Sequence, residues 1–312
     1  MSLANTPLFQ RLLSASPFSE QELVVLVATA STRYKDHYIE KRNGRGKRLI
    51  SQPTKEVKFL QRLLMQNELV GLPIHEAATA YRKGHSIKSH ADKHAASRYL
   101  LKLDFQDFFH SLYGDALDYM LEQDTKFSKT ERWLICNLLC RRLPKTSILR
   151  LSIGAPSSPL ISNYMLHVFD AELATFCHTN GVNYTRYADD IALSTNTPRL
   201  LNRIEIEVRR LLEKLVHLRL TVNERKTVNV SKKRQRKLVG LTLSNDGHVS
   251  VGRDEKRRLR ATFHAFSIGK LPLQDISNLK GKLAYVFSID PEFVTQLCQK
   301  YGVEKLHLIG NQ

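Results

Sequence analysis

Cysteine is scarce: four residues in 312 (Cys136, Cys140, Cys177, Cys298), too few and too scattered for a disulfide framework. Cys136 and Cys140 stand four apart in an apolar helical stretch and read as buried thiols, and no Cys/His grouping has the spacing of a structural zinc site. Long hydrophobic runs are missing too. No stretch of about 18 uncharged apolar residues occurs, which excludes a membrane-spanning helix. The opening MSLANTPLFQRLLSASPF puts no basic segment before a continuous apolar core, so it does not read as a secretory signal, and the expected location is the cytoplasm. There is no internal repeat and no low-complexity tract. Acidic residues are in deficit, 30 Asp and Glu against 48 Lys and Arg, for a net charge of +18. An apolar fraction of 42% excludes a mainly disordered chain. The length suits about two domains.

The positive charge is concentrated. Residues 225 to 260 hold twelve Lys or Arg against three acids, and residues 41 to 62 hold eight against one. Between 151 and 185 there is neither Lys nor Arg. Two basic regions flanking a neutral centre suit a cleft that grips a phosphate backbone from two sides; two solvated faces are the alternative.

Local signals outline an α+β chain to about residue 250 and a helical region beyond. Ser19 to Glu22 and Ser128 to Glu131 are capping boxes that predict helices over 20–31 and 129–142. Tyr38-Ile39 and Arg48-Leu49-Ile50 flank a glycine-bearing turn, as in a hairpin. Helices are expected over 57–69, 114–122 and 160–178, and one after Thr197-Pro198 with a stripe of Leu200, Leu201, Ile204, Val208, Leu211, Leu212 and Leu215. Strands are expected at 99–105, 183–187, 191–195, 227–230, 238–243 and 249–251. Helices at 254–267, 276–287 and 291–305 complete the chain, the last with Asp290-Pro291 at its start.

The sharpest feature is Tyr187-Ala188-Asp189-Asp190 between two short strands. Adjacent acids in an apolar hairpin are costly unless they face solvent or a cation. They suit a solvent-exposed turn, or a site in which the turn breaks the strand alternation so that both converge. Asp104 ends a second apolar strand, YLLKLD, and phenylalanines follow at 105, 108 and 109. Carboxylates at the ends of neighbouring strands can form a site for two hard cations such as Mg²⁺. Phosphoryl transfer at such a site also needs cationic side chains, which both basic regions supply.

Ordered blocks then resemble the bacterial reverse transcriptases, and within them the retron reverse transcriptases, from about residue 40 to 245. Arg48-Leu49-Ile50-Ser51-Gln52-Pro53 and Ala80 to Ile87 resemble the two fingers blocks. Leu103-Asp104-Phe105 to Phe109 is similar to the block of the first metal-binding Asp, and Gly154 to Pro159 with Ser162-Asn163 to the template-positioning block. Tyr187 to Asp190 resembles the polymerase box. Leu220 to Asn223 with Lys226-Thr227, and Leu238 to Leu241, resemble the last two blocks. Ile153 stands where the family usually has Gln. His90-Ala91-Asp92-Lys93-His94 replaces an Asn-Ala-x-x-His signature, and Leu238-Val239-Gly240 replaces Val-Thr-Gly. His90 and His94, four apart, suit structural or RNA-contact roles, or a metal pair that lacks a third ligand.

The resemblance implies a right-hand polymerase: N-terminal helices and fingers over 1–98, palm over 99–245 (110–158 partly fingers) and a short helical thumb over 246–312. About 60 residues follow the last sheet block, room for a three-helix thumb and little else. The resemblance implies RNA-directed DNA synthesis with two Mg²⁺ ions, Mn²⁺ substituting in vitro, and dNTP substrates. Asp104, Asp189 and Asp190, with the Phe105 backbone, would hold the metals. Lys47, Arg48, Gly154, Ala155 and Lys226 would meet the nucleotide. Phe109, or less directly Phe108, would exclude a 2′-hydroxyl. His94, Asn223, Lys232, Lys233, Arg234, Arg253, Arg257, Arg258 and Arg260 would contact RNA or DNA. The implied partners are a cognate structured noncoding RNA, its branched DNA product primed from a guanosine 2′-hydroxyl, and a separate effector or toxin protein in antiphage defence.

Overall fold

The computed structural model describes residues 2–40, 44 and 46–302. Lys41, Arg42 and Arg45 of the first basic region, and residues 303–305 of the last expected helix, lie outside them. Thr6 and the Ser19/Glu22 capping box open α1 (Pro7–Ser14) and α2 (Glu20–Thr29). The antiparallel hairpin of β1 (Tyr34–Glu40) and β2 (Lys47–Pro53) follows, then α3 (Lys55–Asn67) and α4 (Ile87–Ala95). β3 (Tyr99–Asp104) leads to α5 (Gly114–Asp124) and α6 (Lys129–Leu139). After the short ladder of β4 (Arg141–Arg142) and β5 (Leu149–Arg150) come α7 (Ser158–Met165) and α8 (His167–Thr179). The hairpin of β6 (Asn183–Tyr187) and β7 (Asp190–Thr195) is followed by α9 (Leu200–Lys214) and β8 (Val228–Ser231). A small sheet of β9 (Arg236–Leu238), β10 (Leu241–Leu243) and β11 (Val249–Ser250) precedes α10 (Arg253–Ser267), α11 (Leu273–Ile289) and α12 (Pro291–Tyr301).

The central sheet is antiparallel throughout, in the order β6-β7-β3-β8. Its strands alternate burial between two cores. Leu101 and Leu103 of β3 join a large cluster that also contains Leu8 and Phe9 of α1, Leu60 of α3, Leu117 of α5 and Phe169 of α8. Leu100 and Ala192 turn the other way, onto Ala91 and Ala95 of α4 and Leu238, Leu241 and Leu243 of the small sheet. The large core therefore runs continuously across residue 98. The last three helices have a core of their own around Phe263, Leu283 and Val294.

Several expected boundaries move. α6 stops at Leu139, because the chain turns extended at Cys140 to form β4. The 160–178 helix is two helices that meet at Leu166. The 238–243 strand is two strands joined through Val239 (φ 45°) and Gly240 (φ 86°), so the hairpin turn falls inside the apolar run. α9 starts after Arg199, which has φ 64° and gives no side-chain cap; Thr197 and Pro198 lie outside the helix.

Loop 151–157 fastens the first hairpin to the body. The Ser51 amide donates to the Ile153 carbonyl at 2.7 Å, and the Ser152 hydroxyl donates to the Ser51 carbonyl at 3.3 Å. Gly154 (φ 115°) passes so close that a Cβ would lie 3.0 Å from both the Ile50 Cγ2 and the Ser51 carbonyl oxygen. Gly154→Ala should therefore lower stability by ~1–3 kcal/mol, read as a lower denaturant midpoint at unchanged slope.

Candidate active site

The β6–β7 hairpin closes with Tyr187 opposite Asp190, leaving Ala188 and Asp189 in the turn. Ala188 adopts φ 57°, a left-handed conformation that breaks the strand alternation. Across the sheet Asp190 is directly opposite Asp104, so the two carboxylates share one face. The Phe105 amide donates to the Asp189 carbonyl at 3.2 Å, and the Asn223 amide donates to the Asp104 carbonyl at 2.7 Å. Asp104 is thus brought to the adjacent pair Asp189 and Asp190, distant in sequence, through main-chain bonds. Asn223 acts here through its backbone, its carbonyl also accepting from Lys226 and Thr227.

A fully buried guanidinium holds this turn. Arg186 Nε and Nη2 donate to both Asp170 carboxylate oxygens, at 2.9 and 2.5 Å. Its Nη1 donates to the Ala188 carbonyl at 2.9 Å and to Asn163 Oδ1 at 3.2 Å. Tyr184 adds a hydroxyl donor to Asp170. The strained Ala188 is therefore secured by a charge-assisted bond to its own carbonyl.

Electrostatics at Asp189 and Asp190 oppose ionisation. Burial, then the charge of Asp104, raises the Asp189 carboxyl. Burial, then the charges of Asp189 and Asp104, pushes Asp190 up to about 6. The Lys226 ammonium donates to both Asp104 oxygens, at 2.7 and 2.8 Å. Burial works against its charge, but that bond and the acids outweigh it and hold Lys226 above its ordinary value. Arg48 favours an ionised Asp189 and Lys102 an ionised Asp190. Among the described residues no three of His, Cys, Asp and Glu stand grouped as they would around a metal ion. The donor set nevertheless fits hard cations: carboxylate oxygens, mutually repelling, whose charge a divalent ion would offset.

Of the cations expected at the nucleotide, Lys47 and Arg48 lie exposed on β2. Phe108 is buried and stacks on Phe105 at 5.7 Å and 9°, so it belongs to the core and does not face a ligand; Phe109 is half-buried and tilted against it. Ala155 is buried beside Gly154. Lys233, Arg234, Arg253, Arg257, Arg258 and Arg260 are exposed, and Lys232 donates to the Asn245 carbonyl at 2.9 Å. Arg260 stands 5.0 Å over the Phe293 ring.

Other assignments change. His94 makes no nucleic-acid contact surface: it is fully buried, with Nδ1 2.8 Å from Ser194 Oγ and Nε2 2.7 Å from Thr185 Oγ1. Burial pushes the imidazoles of both His94 and His90 down to about 3, so both are neutral joints between α4 and the sheet. Arg236 is no surface charge either; its guanidinium donates to the carbonyls of Ala95, Ser97 and Ser244. The roles of Arg186, Asp170, Asn163 and Tyr81 were missed in sequence: Asp170, Asn163 and residues 77–80 meet Arg186, next to the polymerase-box turn, through contacts distant in sequence. The sequence signals were an Arg and an Asp inside apolar elements and the places of Tyr81 and Asn163 in the resembling blocks.

Removing Arg186 strands a buried carboxylate. Arg186→Met should cost ~3–5 kcal/mol of stability, measured by chemical denaturation, and Arg186→Lys should recover only part because it lacks the planar fork.

Comparison with known proteins agrees with this architecture. A family described as Reverse transcriptase (RNA-dependent DNA polymerase) matches residues 39–243. The retron Ec83 reverse transcriptase of Escherichia coli is 38% identical over 282 residues, covering 89% of this chain and 90% of that protein. The retron Ec86 reverse transcriptase of Escherichia coli is 28% identical, covering 94% and 90%. Among solved structures, a Candida albicans telomerase in complex with a fragment of telomeric RNA aligns with TM-score 0.50 at 13% identity, covering 94% of this chain and 59% of that one, a likeness of fold alone. The chain, a right-hand α+β polymerase with carboxylates on its central sheet, belongs to the reverse transcriptase family and within it to the retron-type enzymes of bacteria.

Proposed function

We propose that this reverse transcriptase copies part of a cognate structured noncoding RNA into single-stranded DNA, starting from a guanosine 2′-hydroxyl and leaving a branched RNA–DNA product. The observation that carries the catalytic part is the pairing of Asp104 with Asp190 across β3 and β7, with Asp189 in the adjoining turn. The retron part rests on the likeness to the E. coli retron enzymes over nine-tenths of their length.

In the reaction the primer hydroxyl oxygen bonds the α-phosphorus of a dNTP, the bond to pyrophosphate breaks and the hydroxyl proton is lost. Asp104, Asp189 and Asp190, with the Phe105 backbone, would hold two Mg²⁺ ions, which when bound activate the hydroxyl and stabilise the departing pyrophosphate. Lys226, bonded to the Asp104 carboxylate, would with Lys47 and Arg48 neutralise phosphate charge. Gly154 and Ala155 offer backbone to the nucleotide. Phe109, the half-exposed ring of its pair, would lie under the sugar and leave no room for a 2′-hydroxyl. N-terminal helices and fingers would span 1–98, the palm 99–245 (110–158 partly fingers) and a mainly helical thumb 246–312. Exposed Arg253, Arg257, Arg258 and Arg260 on α10, with Lys232, Lys233 and Arg234, give salt-dependent phosphate contacts. A separate effector protein would complete a cytoplasmic antiphage system.

Sequencing the nucleic acid that co-purifies with the chain tests this directly. The expected product is DNA joined to RNA through a 2′-linkage, made by the wild type and lost in Asp189→Asn. Linear cDNA grown from a 3′-hydroxyl would instead indicate an intron-type or other priming mode. Extension by neither protein would indicate an RNA-binding scaffold. Phe109→Ala should raise ribonucleotide incorporation by at least about tenfold, measured as the ratio of rNTP to dNTP kcat/KM; an unchanged ratio removes Phe109 from the sugar gate.

A further inference from the structure

Tyr81 combines two features that rarely occur together. Its backbone is left-handed, φ 62°, a conformation unfavourable for a bulky side chain, and its ring is 52% exposed. A strained residue persists only where its surroundings over-determine it, and here the chain on both sides is strapped down. The Arg186 amide donates to the Ala77 carbonyl at 2.7 Å, and the Thr79 amide donates to the Arg186 carbonyl at 2.8 Å. Asn163 Nδ2 donates to the Ala80 carbonyl at 2.9 Å. On the far side Arg82 Nη1 reaches the carbonyls of His75 and Ala78, both at 3.1 Å.

These straps lead to the active site. Arg186 and Asn163, which grip residues 77–80, are also the groups bonded to one another beside the Ala188 carbonyl. The loop bearing Tyr81 and the turn bearing Asp189 are thus held by one network. Burial and the negative charge of Asp189 raise the Tyr81 phenol, while Arg48 acts on it in the opposite sense. The ring therefore lies within electrostatic reach of both the carboxylate turn and the basic strand β2. Core packing does not explain it, since Ala80 beside it is buried and Tyr81 is not. The exposed ring offers an aromatic face between phosphate-directed cations and acids, and a nucleobase presents the complementary π-surface.

We infer that the ring of Tyr81 is a stacking platform for the base pair being formed, held ready by the strained loop. This deepens the polymerase reading and rests on it. Tyr81 is a specificity-determining residue: it positions the templating base and the incoming nucleotide and takes no part in bond making.

The test compares Tyr81→Phe with Tyr81→Gly. Glycine adopts positive φ without strain, so it preserves the loop and removes only the ring. With a template carrying 2-aminopurine at the templating position, wild type and Y81F should quench its fluorescence on binding and Y81G should leave it bright. In extension assays Y81G should raise the dNTP KM by about tenfold, with kcat changed much less, and Y81F should match wild type. Quenching and KM in Y81G equal to wild type would overturn the inference, as would a Y81F defect as large as that of Y81G, which would assign the role to the hydroxyl. Quenching needs no chemistry. A wild type that binds template but extends nothing would overturn the polymerase reading and still leave Tyr81 decided by the fluorescence.

Discussion

The structure depends on one buried ion pair. Arg186 and Asp170 are both fully inaccessible, and removing two charges from water costs several kcal/mol per ion unless geometry and further bonds offset it. Here the offset is nearly complete: a two-point fork, the Tyr184 hydroxyl on the carboxylate, and the Ala188 and Asn163 oxygens on the remaining guanidinium nitrogen. The result is less a source of stability than of specification. One side chain decides how β6, α7, α8 and the loop before Tyr81 meet.

That specification is needed because the site is uphill on its own. Like charges face each other across β3 and β7, and the turn between Tyr187 and Asp190 has a left-handed alanine. Two of the three acids resist ionisation. None of these features assists folding; they are carried by the continuous apolar core beneath the sheet and by the Lys226 ammonium above Asp104. Strain and charge are concentrated where substrate charge has to be met.

Much of this was legible in the sequence, and the parts that were not share a cause. Capping boxes at Ser19 and Ser128, the Asp290-Pro291 start and the strand before Asp104 are local signals, and the structure follows them. The break at Leu166 and the stop at Cys140 carry no local mark, because both residues are apolar and are redirected by tertiary packing. Thr197-Pro198 carries a strong mark that loses to a left-handed Arg199. His94 was misread for a related reason, and Arg236 within the basic region shows the same effect: residue type suggests exposure, and only partners from distant segments make burial tolerable. Asp104, Asp189 and Asp190 could be picked out because acids in apolar strands are anomalous, whereas Tyr81 is anomalous only in its backbone angle.

The tether between the first hairpin and loop 151–157 has a consequence for which substitutions the joint can accept. It runs from the Ser51 amide to the Ile153 carbonyl, so the side chain at 153 takes no part in it. The tether is therefore indifferent to the side chain at 153, and an isoleucine there leaves the joint intact. Position 154 has no such freedom, because any side chain would collide with Ser51 and Ile50. Two neighbouring residues thus stand under opposite constraints in this joint: its hydrogen bond ignores the side chain of one, while the other is limited by the space its neighbours leave.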